Sequence, residues 1–85
     1  MTHGFDYAIR NLKEGARMTR EGWNGKGQYI ELASDVSFKK PDGTIVEPLH
    51  NAMGNNAIVF YGTSGVQIGW LASQADMLAD DWVMV

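Results

Sequence analysis

Apolar positions near the start of the chain recur at helical spacing. Phe5, Ala8, Ile9 and Leu12 fall at i, i+3, i+4 and i+7, which is one face of an amphipathic helix. Thr2 is placed to cap it, Asp6 suits its positive end and Lys13 its negative end. Gly15 is the expected stop. Beyond it the period shortens to two. Arg17 to Arg20 is a weak strand, and Gln28 to Leu32 alternates clearly. Val36 to Lys39 and Thr44 to Glu47 flank Lys40-Pro41-Asp42-Gly43, a turn in which proline presets φ and glycine accepts a positive φ. Ile58 to Tyr61 and Val66 to Trp70 flank Gly62-Thr63-Ser64-Gly65 and predict a second hairpin. Ser73 followed by Asp76 is a capping box that opens a short helix, which should end by Asp80. Trp82 to Val85 closes the sheet as a last strand. Pro48 to Asn56 has no period and reads as a loop, the kind of segment where binding residues often sit.

The expected fold class is therefore α+β. It has an N-terminal helix, an antiparallel β-sheet of short strands and hairpins, and a short late helix before a C-terminal strand. Residues 1–85 make a single domain, because a second core does not fit in this length. One helix covers only part of such a sheet, so a second subunit is expected to cover more of it. A small core without a disulfide also favours oligomerisation.

Composition narrows the function. The chain has no cysteine, which excludes a disulfide framework, a thiolate metal site and a cysteine nucleophile. No apolar run approaches the length of a membrane span, and the start lacks the pattern of a signal peptide. A cytoplasmic location is the expectation. The net charge is −3, and every Lys and Arg lies between Arg10 and Lys40. No basic stripe is present, so bulk DNA or RNA is not an expected partner.

Catalytic signals are sparse. His3 and His50 have no partner at a metal-ligand spacing, and His3 is expected to fray with the terminus. Ser64 stands in a hairpin turn and not at a strand-to-helix elbow. Asp80-Asp81 reads as a solvated or capping pair. The reading is of a protein that is not an enzyme, with no catalytic residue, metal or cofactor assigned.

Two stretches stand out. Gly22-Trp23-Asn24-Gly25-Lys26-Gly27 holds three glycines and an indole. It is neither a P-loop nor a dinucleotide fingerprint, because a strand follows it. Trp23 either folds onto the core or offers a flat face to a base. Asn24 suits a base edge or a ribose hydroxyl, and Lys26 suits a phosphate. In the second stretch, Trp70 precedes a helix start at Ser73-Gln74-Ala75-Asp76. Free amides there could receive an anionic oxygen, while Asp76 could hold a ribose or simply cap.

The helix near Phe5, Lys13-Glu14-Gly15, Arg20-Glu21-Gly22-Trp23-Asn24-Gly25-Lys26-Gly27 and the run from Trp70 to Trp82 together resemble the second Thoeris anti-defence family of phage and prophage proteins. Residues 33–66 match it only in outline. The resemblance implies a sponge that binds a cyclic nucleotide immune signal without degrading it. That signal is glycocyclic ADP-ribose made from NAD by Toll/interleukin-receptor enzymes. Cyclic dinucleotides are a second class that some relatives hold in separate pockets. It also implies a homotetramer with pockets at subunit interfaces, working in the host bacterial cytoplasm. Trp23, Asn24, Trp70 and Asp76 carry over from the matched motifs. Lys26, Ser73, Gln74 and Arg20 join them on chemistry alone. The rival readings are an adaptor that binds a host protein and a hydrolase of the signal.

Overall fold

A computed structural model describes residues 1–46 and 56–85. The order is α1 (Phe5–Lys13), β1 (Met18–Arg20), β2 (Tyr29–Ala33), β3 (Phe38–Lys39), β4 (Ile45–Val46), β5 (Ala57–Gly62), β6 (Gly65–Ile68), α2 (Gln74–Leu78) and β7 (Trp82–Met84). Five strands form one antiparallel sheet in the order β6-β5-β2-β1-β7. β3 and β4 make a separate two-stranded ribbon on the Pro-Asp-Gly turn, where Asp42 accepts the amide of Thr44 at 2.9 Å. The expected α+β architecture is what is seen. The loop expected at Pro48 to Asn56, with Glu47 and His50, lies outside the described residues save for Asn56.

Register explains where the core sits. Met18 pairs with Ile30 and Ile30 with Phe60, while Phe60 faces Gln67 across β5 and β6. These side chains share one face of the sheet. Helix α1 lies over β1, β2 and β7, and also touches α2. Its Ala8 and Leu12 are buried with Met18, Ile30 and Trp82, and Phe5 and Ile9 pack at the margin. The helix does not extend over β5 and β6. The Phe60–Gln67 end of the same face is left for loops to border.

The opposite face is built from Arg17, Tyr29, Glu31 and Tyr61. The tyrosine rings stack at 4.5 Å, Arg17 lies 5.2 Å over Tyr29, and it reaches Glu31 at 3.5 Å. Burial and the neighbouring Glu31 raise the Tyr61 phenol above its ordinary pKa.

Three expectations need correction. Gly4, not Thr2, is the N-cap of α1, and no side chain caps it. His3 does not fray. It exchanges two backbone bonds of 2.9 Å with Trp82 and stacks on Tyr7 at 3.7 Å, which fastens the terminus to β7. β6 ends at Ile68 and not at Trp70. Gly69 turns the chain with φ +89°, a conformation other residues adopt only at a cost, and Trp70 donates its amide back to Ile58 at 2.8 Å. The capping box at Ser73 is formed as expected.

Candidate functional site

At the open end of the sheet's core face, Trp23, Asn24, Gln28, Phe60, Trp70 and Asp76 line a hollow of about 180 Å³. Each wall has a local cause. Phe60 projects from β5 at the end of the core face that α1 does not reach. Trp70 is held there by the turn at Gly69. Trp23 comes from the glycine-rich loop, which folds back so that the amide of Trp23 meets the carbonyl of Arg20 at 3.2 Å. The Phe60 and Trp70 rings are nearly parallel, 15° apart with centroids at 6.4 Å. Trp23 stands edge-on to both, at 5.5 and 6.1 Å. It also packs on buried Trp82 at 5.3 Å. The indole therefore serves both core and hollow, and the two readings offered by its sequence are not exclusive.

Behind Trp23 is a polar network that ties three segments together. Asp76 Oδ1 accepts from Trp23 Nε1 at 3.0 Å and from Arg20 Nη1 at 2.8 Å. Arg20 Nε donates to Asp81 Oδ1 at 2.7 Å, and Asp81 Oδ2 accepts the amide of Gly22 at 2.8 Å. Asp76 Oδ2 accepts the amide of Ser73 at 3.3 Å, while Ser73 Oγ accepts that of Asp76 at 3.1 Å. The Asp76 carbonyl takes Trp82 Nε1 at 2.9 Å.

The charges respond accordingly. Burial pushes the Asp76 carboxyl upward, but hydrogen bonds from Trp23, Arg20 and Ser73 outweigh it and hold the pKa below the ordinary aspartate value. Asp81 is lowered chiefly by its bond from Arg20. Arg20 is raised by bonds to Asp81 and then Asp76. All three are charged across the neutral range, and they are charged for one another.

The structure thus brings four expected residues, Trp23, Asn24, Trp70 and Asp76, to one hollow. Arg20 is not among the residues lining it, and its guanidinium is paired with the carboxylates of Asp76 and Asp81. The Ser73 hydroxyl and the amides of Ser73 and Asp76 are taken up by the capping box. Lys26 and Gln74 are exposed and do not line the hollow.

Sequence reasoning did not single out Gln28 or Phe60. Gln28 closes the glycine-rich stretch and Phe60 alternates correctly, so both carried a faint signal. Asp81 was read with Asp80 as a solvated or capping pair, and it is instead ion-paired with Arg20. It meets Arg20 only because Arg20 pairs with Trp82 across β1 and β7.

Among the described residues, no group of three or more His, Asp or Glu is arranged to hold a metal ion. Among the described residues, too, no helix is long and apolar enough to cross a membrane.

A family model described as the Thoeris anti-defense 2-like domain matches residues 3–85. The protein "Thoeris anti-defense 2" of Bacillus phage SP01 is 39% identical over 88 residues, covering 95% of this chain and 92% of the relative.

Proposed function

This chain belongs to the Thoeris anti-defense 2-like family, and from that premise we propose that it is a phage anti-defence protein that binds and holds a cyclic nucleotide immune signal. The leading candidate is glycocyclic ADP-ribose, with cyclic dinucleotides as a second class. The observation that carries the reading is the hollow itself: three aromatic rings around one space, with amide and carboxylate edges beside them. A planar heterocycle needs about 3.5 Å on each side. Phe60 and Trp70 border the hollow with rings that are nearly parallel, centroids 6.4 Å apart. Stacking a base on such faces contributes roughly 1–3 kcal/mol. Asn24 and the remaining lone pair of Asp76 Oδ2, whose other site takes the amide of Ser73, suit a base edge or a ribose hydroxyl.

Binding without chemistry is part of the proposal. Asp76 is the titratable side chain among the described residues of this lining, and three donors with a lowered pKa make it a poor proton acceptor. Oligomerisation is proposed too. A hollow of 180 Å³ is smaller than the roughly 300 Å³ at which pockets for drug-sized ligands begin, so part of the ligand must extend beyond it. Val66, Ile68, Leu71 and Leu78 expose between 61 and 89% of their surface, and a second copy would cover such side chains.

The test is thermal unfolding with glycocyclic ADP-ribose, linear ADP-ribose, NAD and a cyclic GMP dimer. A ligand at 1,000 times its Kd adds about 4 kcal/mol, which raises Tm by well over ten degrees in a domain this small. A shift with a cyclic signal, and recovery of that signal intact after denaturation, supports a sponge. Recovered fragments would make the protein a hydrolase. No shift with any of the four would favour the adaptor reading.

A further inference from the structure

A second hollow of about 230 Å³ lies beside the first, lined by the tip of the β5–β6 hairpin and by Gln67. The two share Gln28 and Phe60. The loop and the hairpin tip bordering them are in contact. A Cβ added at Gly25 would stand 2.8 Å from Gln28 Nε2 and 3.0 Å from Thr63 Cγ2. Gln28 Nε2 donates to the carbonyls of Asn24 and Gly25, the latter at 3.0 Å. With Nε2 committed to these two carbonyls, Oε1 remains as an acceptor. On the far side stand the hydroxyls of Thr63 and Ser64 and the amide of Gln67, all exposed. No charged side chain is among the described residues that line this second hollow.

We propose that the two hollows are one cleft, and that Gln28, Gln67 and the Thr63–Ser64 tip bind the uncharged, hydroxyl-bearing part of a nucleotide whose base lies among Trp23, Phe60 and Trp70. This rests on the nucleotide-binding reading above and extends it to residues on β6 and its turn. Neutral amides and hydroxyls match ribose hydroxyls, which both donate and accept, better than they match a diphosphate. Together the hollows come within the size range of small-molecule sites.

Titration calorimetry with glycocyclic ADP-ribose tests it on the wild type and on a Ser64→Ala, Gln67→Ala double variant. Both positions are exposed and make no side-chain hydrogen bond among the described residues, so the variant should melt as the wild type does. The expected result is a Kd raised about 10- to 100-fold, by nearly the same factor at low and high salt, because the lost bonds are uncharged. A wild type that binds and a variant of unchanged affinity would overturn the extended cleft alone. A factor that shrinks strongly with salt would overturn the ribose assignment, since it would mark a phosphate contact. A wild type that does not bind would overturn the nucleotide reading and this inference with it.

Discussion

Asp76→Ala removes the acceptor at the centre of the network. Trp23 Nε1 loses its partner, and a half-buried unpaired donor costs about 1–3 kcal/mol. Arg20 keeps Asp81 but loses one of two charge-assisted bonds, worth about 1.5–3 kcal/mol when well shielded. The reciprocal half of the capping box adds about 0.5 kcal/mol more. The side chains of Arg20 and Asp76 retain 19 and 13% of their exposure, so water can reach the orphaned groups and the low ends apply. The total is about 2–4 kcal/mol. At about 4–8 °C per kcal/mol for a domain of this size, Tm should fall by roughly 8–32 °C. Asp76→Asn keeps an acceptor for Trp23 and Arg20 but loses the charge and turns amide hydrogens toward the amide of Ser73. It should cost about half as much. Asp80→Ala, at an exposed position with no side-chain hydrogen bond among the described residues, should stay within about 0.5 kcal/mol of wild type. Circular dichroism melts without ligand measure all three. An Asp76→Ala protein melting within about 3 °C of wild type would refute the claim that this network holds Trp23 in place. So would an asparagine variant that melts below the alanine one.

Three further outcomes follow from the same geometry. Trp82→Ala empties the centre of the core and frees the carbonyl of Asp76, at about 3–5 kcal/mol, so denaturant melts should find little folded protein. Stability should fall as pH drops below about 4. Asp76 and Asp81 have lowered folded-state pKa values, so their contribution is present above the ordinary carboxylate pKa of about 3.9 and is lost as pH falls through the folded values. Acid melts of an Asp76→Asn, Asp81→Asn double variant should show a shallower fall. Gly25→Ala forces a side chain onto φ +90° and against Gln28 and Thr63, and should cost about 1–3 kcal/mol by urea titration.

The fold was legible wherever a local rule decided it. The helix face of Phe5, Ala8, Ile9 and Leu12, the Pro-Asp-Gly turn and the Ser73–Asp76 box depend on residues within one or two turns of each other, and all three are formed. The misreadings came where distant backbone intervened. His3 is pinned by Trp82, 79 positions away in the chain, and Trp70 is drawn out of β6 by its bond to Ile58. The site divides along the same line. Trp23 was conspicuous because an indole in a glycine-rich loop lacks neighbours in its own element, and Trp70 because it comes at a strand end just before a helix start. Arg20 and Asp81 join through a strand register that no spacing encodes, so Arg20 looked like a free cation. Asp76 looked equally like a cap and a ligand contact, and it is in fact a cap, an ion-pair partner and part of a wall at once.

That triple use bears on how a diphosphate ligand would lie. Arg20 is one cation facing two carboxylates, so the network keeps a net negative charge behind Trp23. A diphosphate placed against it would be repelled, and in a partly dry hollow the repulsion is weakly screened. A base edge or ribose hydroxyl placed there is welcome. On the proposed reading the base therefore sits toward Asp76, the ribose toward Gln28 and Gln67, and the diphosphate toward the open side. Its counter-charge must come from Lys26 on the loop or from a second copy. The network also prepares the site. Trp23 lies in a loop with three glycines, and without its anchors it would have to be ordered when ligand arrives, at about 0.5–1.5 kcal/mol for each side chain immobilised. Fixing it beforehand leaves that free energy in the bound state. On the proposed reading the protein works by keeping its ligand, and this would appear as slower release, because affinity among related sites is set mostly by the off-rate. Asp76→Asn should accordingly speed ligand dissociation more than it slows association in stopped-flow measurements, even though Asp76 need not touch the ligand.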